Sequence, residues 1–261
     1  MTKEIVIAGF GFVGKAVFNL LKPYTRCLIV DPQYNENTID TTMQIDGVII
    51  CVGTPSLPNG DCDDSQIRDV MSKLSANIPV LIKSTITPDK LERLTLDYPD
   101  NPICYSPEFL RANTADSDFA NQKYVILGGD DSDGVWEDLL RTALPQCNLY
   151  LKCTLTEAAT VKYSVNSFLA TKVAFFNHIY DLCQSNGANY DIVRQLITHD
   201  ERITLSHTLV PGPDDDRGFG GHCFPKDTAA LVHYADTKGV SLDVLKLSLI
   251  HISEPTRRYA I

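Results

Sequence analysis

The run Gly9-Phe10-Gly11-Phe12-Val13-Gly14 constrains this chain more than any other feature of its sequence. It follows a short β-branched stretch, Ile5-Val6-Ile7-Ala8, and precedes a segment where Ala16, Val17, Leu20 and Leu21 recur at helical spacing until Pro23. Strand, glycine turn and helix, in that order, form the context in which this spacing holds a dinucleotide. Gly9 permits the tight turn, Gly11 lets backbone approach a pyrophosphate, and Gly14 allows close helix-to-strand packing, with Phe12 and Val13 completing the cofactor turn. The helix N-terminus adds its positive end. Asp31 closes a second strand, Cys27-Leu28-Ile29-Val30, where an acid bonds ribose hydroxyls and repels a 2′-phosphate. That favours NAD over NADP, although these residues alone leave a flavin open.

Further strands are expected at Gly47–Val52, Val80–Ile82 and Tyr124–Leu127. Their alternation with helical stretches predicts an α/β, Rossmann-like doubly wound parallel sheet over residues 1–150, with ligands outside the carboxyl ends of the strands. Gly53-Thr54-Pro55, Ser84-Thr85 and Ser106 all follow such ends. A smaller all-helical domain is expected over 151–250. It opens on a capping box, Thr154-x-x-Glu157, and continues as a helix of roughly thirty residues. Val161, Val165, Phe168, Val173, Phe176 and Ile179 are read as its apolar face, and Asn186-Gly187 as its end. So long a helix suits a domain junction or a homodimer interface. Pro211 to Asp216 reads as a loop, Ser241 to Leu247 as helix, and 251–261 as an atypical tail that breaks the pattern.

With 44% hydrophobic residues the chain can bury a sizeable core. Its net charge of -10, without a basic stripe, argues against nucleic acid as a partner. No apolar run of about 18 residues and no leader peptide occur, so the expected address is the cytoplasm, off the membrane. The eight cysteines lack metal-binding spacing and are read as reduced thiols, with no metal site.

The second chemical signature is Gly218-Phe219-Gly220-Gly221-His222-Cys223-Phe224-Pro225-Lys226-Asp227. Pro225 suits a first helical turn, which puts Cys223 just before a helix N-terminus, where a thiolate is favoured and can add to an aldehyde. An inert buried cysteine is the competing reading. His222 is read as a loop histidine, Asp227 as either a site carboxylate or a helix-start acid, and Lys226 as a surface charge. Lys162 and Asn166 share a helix face, where they form a solvated stripe or, if turned to the cysteine loop, oxyanion donors.

Taken together these motifs, with Val52-Gly53-Thr54-Pro55, Lys83-Ser84-Thr85 and Ser106-Pro107-Glu108-Phe109-Leu110-Arg111, resemble the UDP-glucose/GDP-mannose dehydrogenase family over about residues 3 to 248. The resemblance implies two hydride transfers to NAD that take the C6 alcohol of a UDP-sugar to a carboxylate through a thiohemiacetal and a thioester on Cys223. It assigns oxyanion stabilisation to Lys162 and Asn166, water activation to Asp227, and the water and proton steps to Thr85 and Glu108. Phe109, Leu110, Arg111, Phe219, Gly220 and Gly221 would line the sugar site, and Arg202 would reach the substrate of a neighbouring subunit. Gly53, Thr54, Pro55, Ser84 and Thr85 would border the cofactor. Two departures stand out. Ala112-Asn113 replaces a Glu-Gly common in the family, and the family's third domain, which grips the nucleotide, has no counterpart here.

Three readings follow: a nucleotide-sugar oxidase, for UDP-glucose first and GDP-mannose or a UDP-N-acetylhexosamine as variants; a two-electron hydroxyacid dehydrogenase, which would need no cysteine; and an NAD-binding, dimerising fragment with little turnover.

Overall fold

The computed structural model describes residues 2–39, 42, 44–213, 215–221 and 223–252. His222, Asp214 of the acidic loop, and 253–261 of the expected tail lie outside the described residues. The chain divides into two compact units, Met1–Pro55 with Cys62–Lys162, and Ser56–Asp61 with Tyr163–Ile261.

The first unit is built on a sheet of seven strands: β1 (Glu4–Ala8), β2 (Arg26–Val30), β3 (Gly47–Ile50), β4 (Val80–Ile82), β5 (Ile103–Tyr105), β6 (Tyr124–Gly129) and β7 (Leu149–Cys153). Their order is β2-β1-β3-β4-β5-β6-β7. Strands β1 to β5 run parallel, β6 is antiparallel to β5, and β7 is parallel to β6. The inner strands are short, apolar and buried, as a sheet covered on both faces requires.

Alternate residues feed two cores. Ile5, Ile7 and Ile49 pack with α1 (Phe12–Leu21), α4 (Ala115–Ala120) and α5 (Val135–Ala143). Val6, Ala8, Val48 and Ile50 pack with α2 (Ser65–Met71), α3 (Pro88–Asp97) and the first turns of α6 (Leu155–Asn186). This is the expected doubly wound arrangement, with one correction: β6 and β7 reverse the sheet direction. Because β1 lies between β2 and β3, successive crossovers leave it on opposite sides, and a crevice opens at its carboxyl end.

The second unit is helical: the remainder of α6, then α7 (Tyr190–Ile197), α8 (Phe224–Thr237) and α9 (Asp243–Ile252). The capping box forms as read, the Thr154 N–H donating to Glu157 at 2.8 Å and the Glu157 N–H to the Thr154 hydroxyl at 3.2 Å. Gly187, at φ +75°, follows the last turn. The apolar face of α6 needs correcting. Val161 and Phe168 are exposed, whereas Ala158, Ala159, Lys162, Tyr163, Asn166, Ser167, Ala170 and Ala174 are buried. Phe176 is buried as read, with Val173 and Ile179 partly buried, so the reading holds for the later turns; in the first half small side chains permit close packing, and Lys162 and Asn166 bury against hydrogen-bond partners.

Candidate active site

The glycine turn sits at the crevice. Gly9 has φ +90°, and a Cβ there would come within 2.7 Å of the Cys51 and Val52 backbone, so the turn must be bare to lie against the end of β3. A Cβ on Gly14 would overlap the Gly9 carbonyl, which fixes how closely α1 approaches β1. Gly11 differs, since a Cβ on it would meet nothing within 4 Å. It is the N-cap of α1 and offers no side-chain cap, so the first N–H groups of the helix face open space beside a bare turn. Phe12 is partly exposed, and Val13 packs against the core.

The Asp31 carboxylate accepts from the Phe10 N–H at 2.6 Å and the Gln33 N–H at 2.8 Å, which ties the end of β2 to the glycine turn. Two amides thus fix its orientation while leaving acceptor capacity for hydroxyls. The residues present therefore fit a dinucleotide: room at Gly11, uncapped amides at α1, and an oriented acid about twenty residues on.

The loops after β3, β4 and β5 are laced together. The Thr54 hydroxyl donates to the Thr85 carbonyl at 2.6 Å, and the Ser84 hydroxyl to the Val52 carbonyl at 2.8 Å. Gly53 and Pro55 are exposed beside them. Glu108 is buried, its carboxylate paired with the Lys83 ammonium and its carbonyl accepting from Lys162. Lys162 also lies 5.1 Å from the Phe109 ring centroid. Phe109 and Leu110 pack against opposite cores. Arg111 turns its guanidinium to Asp118, at 2.6 and 3.0 Å, and holds that carboxyl well below the usual carboxylate range.

In the second unit Cys223 is the N-cap of α8, whose first turn holds Pro225 and Asp227. Asp227 is 1% exposed and accepts from Asn166 and from Lys226, each at 2.6 Å. Asn166 is accordingly a buried donor to the helix that starts at the cysteine, and Lys226, read as a surface charge, is an ion-pair partner of Asp227. Phe219 is buried against Ala170 and Ala174 and anchors the loop, while Gly220 and Gly221 are exposed. Arg202 is exposed and paired with Asp200.

The structure thus brings together Lys83, Glu108 and Lys162 in one unit, and Asn166, Lys226 and Asp227 in the other. Sequence reading gave no role to Lys83 or to the Phe10–Tyr34 ring pair, 4.5 Å apart beside the glycine turn. The signals available were its place directly after an apolar strand and its membership of the Lys83-Ser84-Thr85 motif.

Comparison with known proteins agrees with this geometry. Residues 29–141 match the NAD binding domain of the UDP-glucose/GDP-mannose dehydrogenase family, and residues 156–250 match that family's central domain. The chain is 35% identical over 214 residues to the UDP-glucose 6-dehydrogenase of Rickettsia typhi, covering 77% of this chain and 48% of that protein. It is 38% identical over 205 residues to the UDP-glucose 6-dehydrogenase of Rhizobium meliloti, covering 73% and 46%. It therefore spans about half the length of these curated relatives. A UDP-glucose dehydrogenase structure from Pyrobaculum islandicum shares the fold at a TM-score of 0.81 and 22% identity, covering 97% of this chain and 68% of that one. NAD is the cofactor of the matched domain.

Proposed function

Because the chain belongs to the UDP-glucose/GDP-mannose dehydrogenase family, we propose that it oxidises the C6 alcohol of a nucleotide sugar, UDP-glucose in the first place, to the uronate. Bound NAD supplies the hydride acceptor in each of the two oxidations. The Cys223 thiolate adds to the aldehyde carbon to form a thiohemiacetal, and the second oxidation leaves a thioester that water cleaves. Lys162 and Asn166 stabilise the oxyanion, Asp227 and Thr85 orient water, and Glu108 takes its proton. Phe109, Leu110, Arg111, Gly220 and Gly221 border the sugar, with Phe219 fixing the loop.

The observation that carries this reading is the cluster beside Cys223: a fully buried carboxylate, two side-chain donors on its two oxygens, and a thiol at the N-terminus of the same helix. A merely structural helix start has no need of a carboxylate buried with an amide and an ammonium.

We further propose that the working species is a dimer formed through α6. Phe168, Phe175 and Leu182 recur every seven residues and are 66, 54 and 56% exposed, an apolar stripe of the kind that pairs helices of two chains. Arg202 would then serve the neighbouring site. A cytoplasmic setting and a supply of uronate for polysaccharide assembly fit this chemistry.

NADH formation followed at 340 nm with UDP-glucose, GDP-mannose and UDP-N-acetylmannosamine tests the reading. We expect about two NADH per UDP-glucose, abolished in Cys223→Ala. The second reading is an NAD-binding unit without turnover. It would show NAD binding with no NADH from any sugar.

A further inference from the structure

Lys83 follows β4 directly, and its side chain, 2% exposed, turns into the protein rather than to solvent. The ammonium pairs with the Glu108 carboxylate, itself 6% exposed, and lies 3.3 Å from the Ser106 hydroxyl, 3.4 Å from the Ser106 carbonyl and 5.1 Å from the Phe119 ring centroid. Removing two charges from water costs more than a packed apolar pair of the same volume, so stability alone does not account for it. Its position does. Lys83 begins the loop that carries Ser84 and Thr85, and Glu108 has its carbonyl tied to Lys162, so the carboxylate is held from both ends while the cofactor loop holds the lysine.

We propose that Lys83 is a positioning residue, which holds the Glu108 carboxylate in the one orientation that accepts a proton during thioester hydrolysis. The inference rests on the nucleotide-sugar oxidase reading. In that step the water oxygen bonds to the thioester carbonyl carbon as one proton passes to Glu108. The carbon–sulfur bond then breaks with its electron pair returning to the Cys223 sulfur, and the carboxylic acid product gives its remaining proton to solvent. A carboxylate free to rotate would leave the two oxidations intact and slow this step, since a misplacement of about 1 Å can cost about a hundredfold in rate.

The test is Lys83→Met in the full chain, with Lys83→Arg beside it. The expected result is a kcat lower by about a hundredfold, KM values for NAD and UDP-glucose near those of wild type, and a Cys223-bound sugar adduct accumulating at steady state by intact-protein mass spectrometry. Lys83→Arg should recover part of the rate. Should Lys83→Met fail to fold, Lys83→Met/Glu108→Gln leaves no lone buried charge and is compared with Glu108→Gln alone. Equal kcat supports action through Glu108, whereas a slower double variant overturns it. Wild-type kcat in Lys83→Met, or a loss confined to the KM for NAD, also overturns the proposal. A wild-type chain that oxidises no nucleotide sugar would overturn the oxidase reading and this inference with it.

Discussion

Gly11 and Gly14 stand three residues apart in one motif, yet the structure gives them different duties. Gly14 sits where a side chain would overlap the Gly9 carbonyl, whereas Gly11 borders open space. Gly14→Ala is therefore expected to lower unfolding stability by about 1–3 kcal/mol, the usual cost of overpacking, and to weaken NAD binding as well. Gly11→Ala should leave the denaturation midpoint unchanged and raise the Kd for NAD by about tenfold, equivalent to about 1.4 kcal/mol. Calorimetric titration beside urea melts separates the two. These glycines were legible because the motif combines local conformation with spacing, both of which a linear sequence carries. Lys83 and Lys226 were not, because what distinguishes them is burial against a carboxylate, and for Lys83 that carboxylate lies twenty-five residues away. A lysine codon looks the same on a surface and at a sheet edge.

At the scale of elements, α6 shows how far pattern reading reaches. Its start, its length and its end followed from Thr154, Glu157 and Gly187. Its buried face followed only in part: Phe176 is buried as read, but in the first half close packing chose alanines, Lys162 and Asn166 over Val161 and Phe168. The stranded aromatics are then free to pair helices between chains. Phe168→Glu/Phe175→Glu is expected to sediment as a monomer with an unchanged far-ultraviolet spectrum, while the wild type sediments as a dimer. A wild-type monomer in sedimentation velocity would remove the stripe from the argument. The edge strand β7 was missed for a related reason: Leu149 and Leu151 are exposed, and no buried run marks it in the sequence.

For the whole molecule, two thiols set an alkaline limit. Burial pushes Cys104, which is fully inaccessible, up to about 12, and desolvation does the same to Cys51. In the unfolded chain such thiols ionise near about 8.5. Their folded values are raised, so the stability they contribute is complete below that pH and is lost as pH climbs towards the folded values. Urea melts between pH 8 and 11 should lose about 1.4 kcal/mol per pH unit for each such thiol above its unfolded value. Cys104→Ala should flatten that decline even though its stability at pH 7 is lower. The reversal of β6 carries a different consequence. With β6 and β7 running against β1 to β5, the chain leaves β7 heading toward the amino edge of the sheet, and α6 must turn back to bring Lys162 to the Glu108 carbonyl beyond the end of β5. From Leu155 to Lys162 that journey is about 10 Å of helix. The segment is a ruler as well as a support: one residue inserted within it would swing the Lys162 ammonium by about 100° and leave the Glu108 carbonyl without its donor.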